Sequence, residues 1–250
     1  MIEYVATGGI ARLTLNRPEK RNALNPALIA AVEESLDRAS RDPQVRVVLL
    51  RGFGADFCAG MDLAGILENP NPGVLDHLED ARRVAGLYLA MKRCARPVIA
   101  AVQGRALGGG CGLVTAADLA VAAESAQFRY SEINLGFVPA IVMSLLRRSV
   151  GEKQAFEMLV SGESVSAAEA HRLGMINHVF PDSDFDAQVE EYAAHIAAKS
   201  ASALALTKNL MRHIDGMSLE QAVESGVFVN SLARGTADAR RGIEQFVHKK

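Results

Sequence analysis

Three consecutive glycines, Gly108 to Gly110, follow the apolar segment 97–102 and precede residues that can form a helix. Glycine leaves the backbone open to a ligand because it carries no side chain. The first amides of a helix have no intrahelical partner, and they attract negative charge. The pattern therefore predicts a buried strand, a tight turn and a helix, with an anion or oxyanion site at the turn.

The glycine triplet has two other interpretations. A dinucleotide-binding turn needs G-x-G-x-x-G, but Leu113 stands in the place of the last glycine and no P-loop Lys-Ser/Thr pair follows. The second interpretation is structural only, with the glycines allowing a helix to pack closely against a strand. The sequence disfavours the nucleotide interpretation and leaves the structural one open.

A second glycine turn lies upstream of the triplet. The segment 45–52 alternates and then becomes continuously apolar, which is typical of a buried strand, and residues 54–60 follow with a glycine at each end. If the two strands lie side by side, one amide after Gly60 and one within the triplet point to the same place. Two converging N–H donors stabilise a thioester oxygen that becomes an enolate, and each contributes about 2.7–4 kcal/mol.

Five motifs occur in order along the chain: Lys20-Arg21-Asn22-Ala23-Leu24, Phe57-Cys58-Ala59-Gly60-Met61-Asp62-Leu63, Pro97-Val98-Ile99-Ala100-Ala101-Val102, Ala106-Leu107-Gly108-Gly109-Gly110-Cys111 and Ser131-Glu132-Ile133. Their order and spacing resemble the enoyl-CoA hydratase/isomerase (crotonase) superfamily, over roughly residues 1 to 248. The resemblance implies an α/β, crotonase-like (ClpP/crotonase) fold, a spiral of β-β-α repeats with a C-terminal helical trimerisation region. We expect a core with the acyl-CoA site over residues 1–190 and a helical oligomerisation region over residues 191–250.

The resemblance also implies roles for particular residues. The backbone amides of Met61 and Gly109 would hold the thioester oxygen, and Glu132 would be the carboxylate base. The substrate would be a CoA thioester, with no permanently bound cofactor. The residues implied to bind the substrate or CoA are Arg21, Ala23, Leu24, Ala59, Gly60, Met61, Asp62, Leu63, Gly108, Gly109 and Gly136.

Gly112 departs from the family pattern. Typical hydratases of the family have a second glutamate at this position, and each acid–base group contributes about 10²–10⁴-fold in rate. With Glu132 alone, the sequence favours a one-base proton shuttle, which is enoyl-CoA double-bond isomerisation. Two alternatives stay open: hydration by Glu132 alone, as in single-glutamate family members, and a non-catalytic relative that binds acyl-CoA or protein.

Other departures concern the substrate. Some relatives have a lysine near the CoA phosphates where this chain has Ala64, whereas Lys249 or Lys250 would reach the phosphates of a neighbouring subunit's CoA. Residues 136–143 replace a glycine-rich turn with bulky apolar side chains, which indicates a hydrophobic acyl chain. The Pro- and Gly-rich stretch Asn69 to Gly73 is typical of a loop, here expected to be mobile over the pocket.

Composition restricts partners and location. A formal net charge of −2 argues against nucleic acid as the main partner. No apolar run reaches the roughly 18 residues needed to span a bilayer, and the N-terminus lacks a signal pattern, so we expect a cytoplasmic protein without a membrane partner. The family suggests a homotrimer or a dimer of trimers. No metal is expected because the six histidines are scattered, and the three cysteines (Cys58, Cys94, Cys111) suggest reduced packing residues.

Alternating strands and helices predict the α/β core. Asn25 is expected to cap the first helix, with Pro26 at its first position. After Pro139 the pattern is almost entirely helical, with capping boxes beginning at Ser166 and Ser218 and a short strand near 176–180. Strands are predicted at 3–5, 10–15, 46–51, 98–102 and 119–122, and late helices at 187–199, 203–213 and 219–232.

Overall fold

Two β-sheets form the centre of the fold. The computed structural model describes residues 1–64 and 73–248. The larger sheet contains, in spatial order, β1 (Ile2–Thr7), β2 (Ile10–Leu15), β3 (Val47–Gly52), β4 (Val98–Val102), β6 (Leu119–Ala123) and β9 (His178–Phe180). The smaller sheet contains β5 (Arg105–Leu107), β7 (Gln127–Arg129) and β8 (Ser164–Ser166). In the larger sheet β1 and β2 form an antiparallel hairpin, and the other neighbouring strands pair in parallel.

Helices follow most of the strands. Asn25 caps the first one by accepting a hydrogen bond from the Leu28 amide, as its sequence position predicts. The helices are α1 (Pro26–Arg41), α2 (Val74–Arg93), α3 (Gly109–Ala116), α4 (Ala140–Leu146), α5 (Glu152–Ser161), α6 (Ala167–Arg172), α7 (Phe185–Ala197), α8 (Ala201–His213), α9 (Leu219–Arg234) and α10 (Ala237–His248). No helix among the described residues is both long and apolar enough to cross a bilayer.

The core lies around the parallel strands. All five residues of β4 are buried, as are five of the six residues of β3. A parallel sheet covered on both faces requires apolar residues on both sides of each strand, which explains the nearly continuous hydrophobic segments. Because β3 and β4 pair directly in parallel, the chain turns that follow them lie at the same edge of the sheet. The triplet itself follows β5, which continues from this edge, and a bridge between Cys58 and Ala106 brings the two glycine turns together.

The smaller sheet was not predicted. Its strands have three residues each, too few to show an alternating pattern.

One predicted capping box is wrong in part: Ser166 accepts from the Glu169 amide, but the Glu169 carboxylate pairs with Arg172 instead of closing the box. At Ser218 the box with Gln221 is complete, as predicted. The predicted helix 187–199 begins earlier, at Phe185, and ends at Ala197.

The expected division between residues 190 and 191 falls inside α7. Glu190 of this helix accepts two hydrogen bonds from Arg12 of β2, at 2.9 and 2.6 Å. The division itself stays a prediction.

Lys208 fastens α8 to the core. Its side chain is 8% exposed, and its Nζ lies 2.7 Å from Asp118 Oδ2. It also donates to the carbonyl oxygens of Met91 and Arg96, at 2.9 and 3.0 Å. Lysine is almost never buried without partners, so these contacts explain how the charged Lys208 side chain is buried between α8 and the core.

We expect Lys208→Met to lower the free energy of unfolding by about 1–3 kcal/mol, because the carbonyl oxygens of Met91 and Arg96 and the partly exposed Asp118 carboxylate lose their donor. Denaturant unfolding measures the loss. Lys153→Met is the control, since Lys153 is exposed on α5, and it should change stability by less than about 0.5 kcal/mol. Equal losses in the two variants would contradict this role for Lys208.

Candidate active site

Three backbone segments meet at the site: the loop 21–24, the segment 57–62 after β3, and β5. Leu24 pairs with Met61 in a parallel bridge, and Cys58 pairs with Ala106 in another. The Leu24 amide donates to Gly60 O at 2.7 Å, and Leu24 O accepts from the Asp62 amide at 2.9 Å. The segment 58–62 is therefore held on both sides by backbone hydrogen bonds.

This pairing leaves the Met61 amide available. In a parallel bridge the bonds of Leu24 go to the residues on either side of Met61, so the N–H of Met61 itself points to the opposite side. Gly109 is the first residue of α3, where an amide has no intrahelical acceptor. Among the described residues, no hydrogen bond uses either amide.

Glycine is required where the two turns approach. Gly60 has a φ of +90° and Gly108 a φ of +47°, in the region that favours glycine. A Cβ on Gly60 would lie 2.7 Å from Leu107 O and 3.4 Å from the Gly109 nitrogen. The turns thus pack backbone against backbone, and the two predicted donor positions lie on neighbouring chain segments.

Glu132 lies against the glycine triplet. It begins a short 3₁₀ turn, Glu132–Leu135, that follows β7. A Cβ on Gly108 would lie 3.2 Å from Glu132 Oε1. Glu132 Oε2 is buried and has no hydrogen-bond partner among the described residues. Burial raises the pKa of this carboxyl, and no charged side chain contributes to the shift. A carboxylate in this environment is suited to accept a proton.

The predicted binding residues are distributed around these elements. Arg17 connects two of the segments, because it donates to Ala23 O at 2.6 Å and lies 3.0 Å from the Asp62 carboxylate. Ala23, Leu24 and Gly60 are buried, Ala59, Met61 and Asp62 are partly buried, and Arg21 and Leu63 are exposed. Gly136 has a φ of +75° and ends the turn of Glu132, and a Cβ there would meet no atom within 4 Å.

Sequence reasoning missed the role of Asn22. The residue is fully buried with a φ of +56°. Its side chain accepts from the Arg17 amide at 2.9 Å and donates to the carbonyl oxygens of Phe53 and Asp56 at 3.0 and 2.8 Å. Asn22 thus joins the loop 21–24 to the turn after β3. A single asparagine in a loop gives no signal of such distant partners.

We expect Asn22→Ala to lower the free energy of unfolding by about 2 kcal/mol more than Arg21→Ala does, since buried backbone groups lose their partner. The control is matched because Arg21 also has a positive φ, of 50°, but an exposed side chain. Denaturant unfolding of both variants separates the side-chain bonds from the backbone conformation. A smaller loss in Asn22→Ala than in Arg21→Ala would refute the bracing role.

A second missed contact fixes β5. Asp56 is 5% exposed and forms two hydrogen bonds with the Arg105 guanidinium, at 2.7 and 2.8 Å. Hydrogen bonding to Arg105 lowers the pKa of Asp56. The pair holds the turn after β3 against the strand that leads into the glycine triplet.

Tyr88 of α2 was also missed. Its hydroxyl donates to Gly109 O at 2.9 Å, and its side chain is 1% exposed. An aromatic residue on a helix is usually read as core packing, and only the fold shows that this one reaches the triplet.

The cysteines near the glycine turns are packing residues, as predicted. Cys58 and Cys111 are fully buried, and burial raises the pKa of Cys58 to about 12 and that of Cys111 strongly as well. The nucleophile of cysteine chemistry is the thiolate, which these environments disfavour. Nor do the described residues contain a group of three or more metal-ligating side chains.

Two sequence predictions fall on parts of the chain that the structure leaves out. Residues 69–72 of the expected mobile loop lie outside the described residues, and so do Lys249 and Lys250.

Known proteins resemble this chain over nearly its whole length. Residues 6–250 match the family model described as enoyl-CoA hydratase/isomerase. The chain is 37% identical to the 2,3-dehydroadipyl-CoA hydratase of Escherichia coli, over 95% of this chain and 92% of that protein. It is 32% identical to the 1,2-epoxyphenylacetyl-CoA isomerase of the same organism, over 100% and 97%. A crystal structure of an enoyl-CoA hydratase from Mycobacterium smegmatis superposes with a TM-score of 0.95 at 36% identity, covering 100% of this chain and 96% of that one.

Proposed function

Because the chain belongs to the enoyl-CoA hydratase/isomerase family and is an acyl-CoA enzyme, we propose that it moves the double bond of an enoyl-CoA with Glu132 as its single base. One observation carries the proposal. Glu132 is the carboxylate that lies against the glycine triplet among the described residues, while Gly112 offers no acid–base group on α3. Moving a proton between two carbons needs one base, whereas hydration also needs a group that activates water.

The proposed reaction proceeds through an enolate. The Met61 and Gly109 amides donate hydrogen bonds to the thioester oxygen, so negative charge develops where two donors are already aligned. The Glu132 carboxylate removes a proton from C2 of a 3-enoyl-CoA, and the electron pair of that C–H bond enters the conjugated enolate. The protonated Glu132 returns the proton to C4, which gives the 2-enoyl-CoA and regenerates the carboxylate.

Apolar residues near Glu132 support a hydrophobic acyl chain. Phe137, Val138 and Met143 are exposed at 51%, 73% and 38% in the turn and helix that follow the base. We infer that the acyl group contacts this apolar segment, and that the CoA portion contacts the loops 21–24 and 59–63.

Hydration by Glu132 alone is the second candidate, favoured by the likeness to a relative named as a hydratase. Incubation with panels of 2-enoyl- and 3-enoyl-CoA esters, followed by mass spectrometry, tests the two. Isomerisation leaves the mass unchanged and is detected when chromatography resolves the 2-enoyl ester from the 3-enoyl ester, whereas water addition raises the mass. Exclusive water addition would overturn the proposed reaction.

A non-catalytic protein that only binds acyl-CoA is the third possibility. Deuterium exchange at the acyl α-carbon tests it, because such a protein shows no exchange above the buffer rate.

We also infer a homo-oligomer, either a trimer or a dimer of trimers. Helices α9 and α10 expose large apolar side chains, which a monomer in water rarely does over a contiguous area. Light scattering after size-exclusion chromatography counts the chains per particle, and a monomer would contradict the inference. The most exposed side chains are Leu219 (75%), Phe228 (64%), Leu232 (66%), Ile243 (60%) and Phe246 (75%).

A further inference from the structure

Tyr88 fills the space that a side chain at position 112 would need. A Cβ on Gly112 would lie 2.5 Å from Tyr88 Cζ and 2.9 Å from Val142 Cγ1, and it would be in equally close contact with the Tyr88 hydroxyl. Cβ atoms essentially never approach other atoms closer than 3.0 Å. Any side chain at position 112 therefore requires both Tyr88 and Val142 to move.

The same phenol also covers the start of α3. Gly109 and Gly112 are three residues apart, so they lie on one face of the helix. Tyr88 approaches both, and its hydroxyl donates to Gly109 O at 2.9 Å. Burial raises the pKa of Tyr88 well above its usual value, so the hydroxyl keeps its proton and remains a donor.

We propose that Tyr88 is a positioning and specificity-determining residue, which holds the Gly109 peptide and closes the part of α3 from which a second acid–base side chain would act. This inference rests on the proposed function and extends it. The second glutamate of typical hydratases is absent at position 112, and the Tyr88 side chain occupies the space that it would need. The enzyme is thereby restricted to reactions that a single carboxylate carries out.

The hydroxyl is tested by Tyr88→Phe, which keeps the ring and removes the donor. We expect kcat for isomerisation to fall about 3- to 10-fold, the value of one hydrogen bond, with KM unchanged within about twofold because Tyr88 acts through Gly109. Tyr192→Phe is the control, since Tyr192 lies on α7 against His178 and should leave kcat unchanged. An unchanged kcat in Tyr88→Phe would overturn the positioning role.

The occupied space is tested by stability, without any assay of activity. Gly112→Ala should lower the melting temperature by at least about 6 °C when Tyr88 is present, because a buried clash of a few kcal/mol has an effect of this size in a chain of this length. Tyr88→Leu removes the end of the phenol. In that background Gly112→Ala should lower the melting temperature by less than half as much. Equal shifts in the two backgrounds would overturn the inference.

The effect on reaction type is tested by Gly112→Glu with and without Tyr88→Ala. We expect the double variant to add water to 2-enoyl-CoA at least about tenfold faster than Tyr88→Ala alone, within the range of one acid–base group. Gly112→Glu alone should give no such gain. A gain in the single variant equal to that in the double one, or no gain in a folded double variant, would overturn the specificity role.

The two proposals fail in different ways. If the unaltered protein only hydrates, the proposed function is wrong, but the melting temperatures of the Gly112→Ala pair still decide whether Tyr88 fills the space. If the double variant does not fold, the same pair of measurements gives the answer.

Discussion

Glu132→Gln should reduce kcat at least about a hundredfold while acyl-CoA binding is retained. The amide cannot accept the substrate proton, but it has nearly the same shape as the carboxyl group and leaves the Met61 and Gly109 amides in place. Steady-state kinetics gives kcat, and calorimetric titration with a non-reactive acyl-CoA gives the dissociation constant. Glu157→Gln, an exposed change on α5, is the control and should be neutral. Unchanged turnover in Glu132→Gln would refute the assignment of the base.

The pH dependence of the unaltered enzyme gives a further check on Glu132. Only the carboxylate accepts a proton, so kcat/KM should fall as the pH drops through the pKa of this group. Because burial raises that pKa, the fall should begin at a higher pH than an exposed glutamate would give. A profile that follows an ordinary, solvent-exposed glutamate would contradict the buried position of the base.

Glu132→Gln should also raise the melting temperature. An ionised carboxylate with a buried, unpartnered Oε2 destabilises the folded state, and a neutral amide does so less. Since the folded pKa lies above the unfolded one, the folded protein binds more protons between the two values, and its stability falls as the pH rises through them. The increase in melting temperature caused by Glu132→Gln should therefore be complete above the raised pKa of folded Glu132. It should disappear below the pKa of Glu132 in the unfolded chain. A pH-independent difference in melting temperature would argue against a titrating Glu132.

Gly109→Pro should have an effect of similar size by removing one oxyanion donor. Losing such a donor costs about 10²–10³-fold in kcat. Proline has no N–H, yet it is favoured at the first position of a helix, which Gly109 occupies in α3. The helix should therefore form, and far-UV circular dichroism verifies it.

Gly109→Ala is the matched control for this prediction. It keeps the amide while adding the same Cβ, which would lie 3.2 Å from the Tyr88 hydroxyl and 3.5 Å from Leu24 Cδ1. The ratio of kcat between Gly109→Ala and Gly109→Pro thus separates the change at the backbone nitrogen, where the N–H is replaced by a ring carbon, from the effect of the Cβ. Equal activity in the two variants would show that the Gly109 amide does not stabilise the enolate.

The features readable from sequence are those with local causes. Adjacent glycines between a strand and a helix indicate a backbone site, and apolar continuity indicates buried parallel strands, so the strands at 10–15 and 98–102 were predicted with the bounds observed. The capping of α1 by Asn25 depends on neighbouring residues only and was predicted for the same reason.

The features that were missed depend on distant partners. Asn22 meets backbone more than thirty positions away, and the Tyr88 hydroxyl meets Gly109 across 21 positions. Neither residue type indicates its partner, because an asparagine in a loop and a tyrosine on a helix have many possible environments. The three short strands of the smaller sheet likewise pair with partners that are distant in the sequence, as β7 does with β8.

Lys208 connects α8 to β4, the strand that precedes β5 and the glycine triplet. The Asp118 carboxylate that it meets also accepts a hydrogen bond from the Val98 amide at 2.8 Å, at the first residue of β4. A chain cut at residue 190 would lose Lys208 and leave that carboxylate without its cation at the base of β4. We therefore expect removal of residues 191–250 to destabilise β4, the strand from which the chain continues into β5 and the glycine triplet.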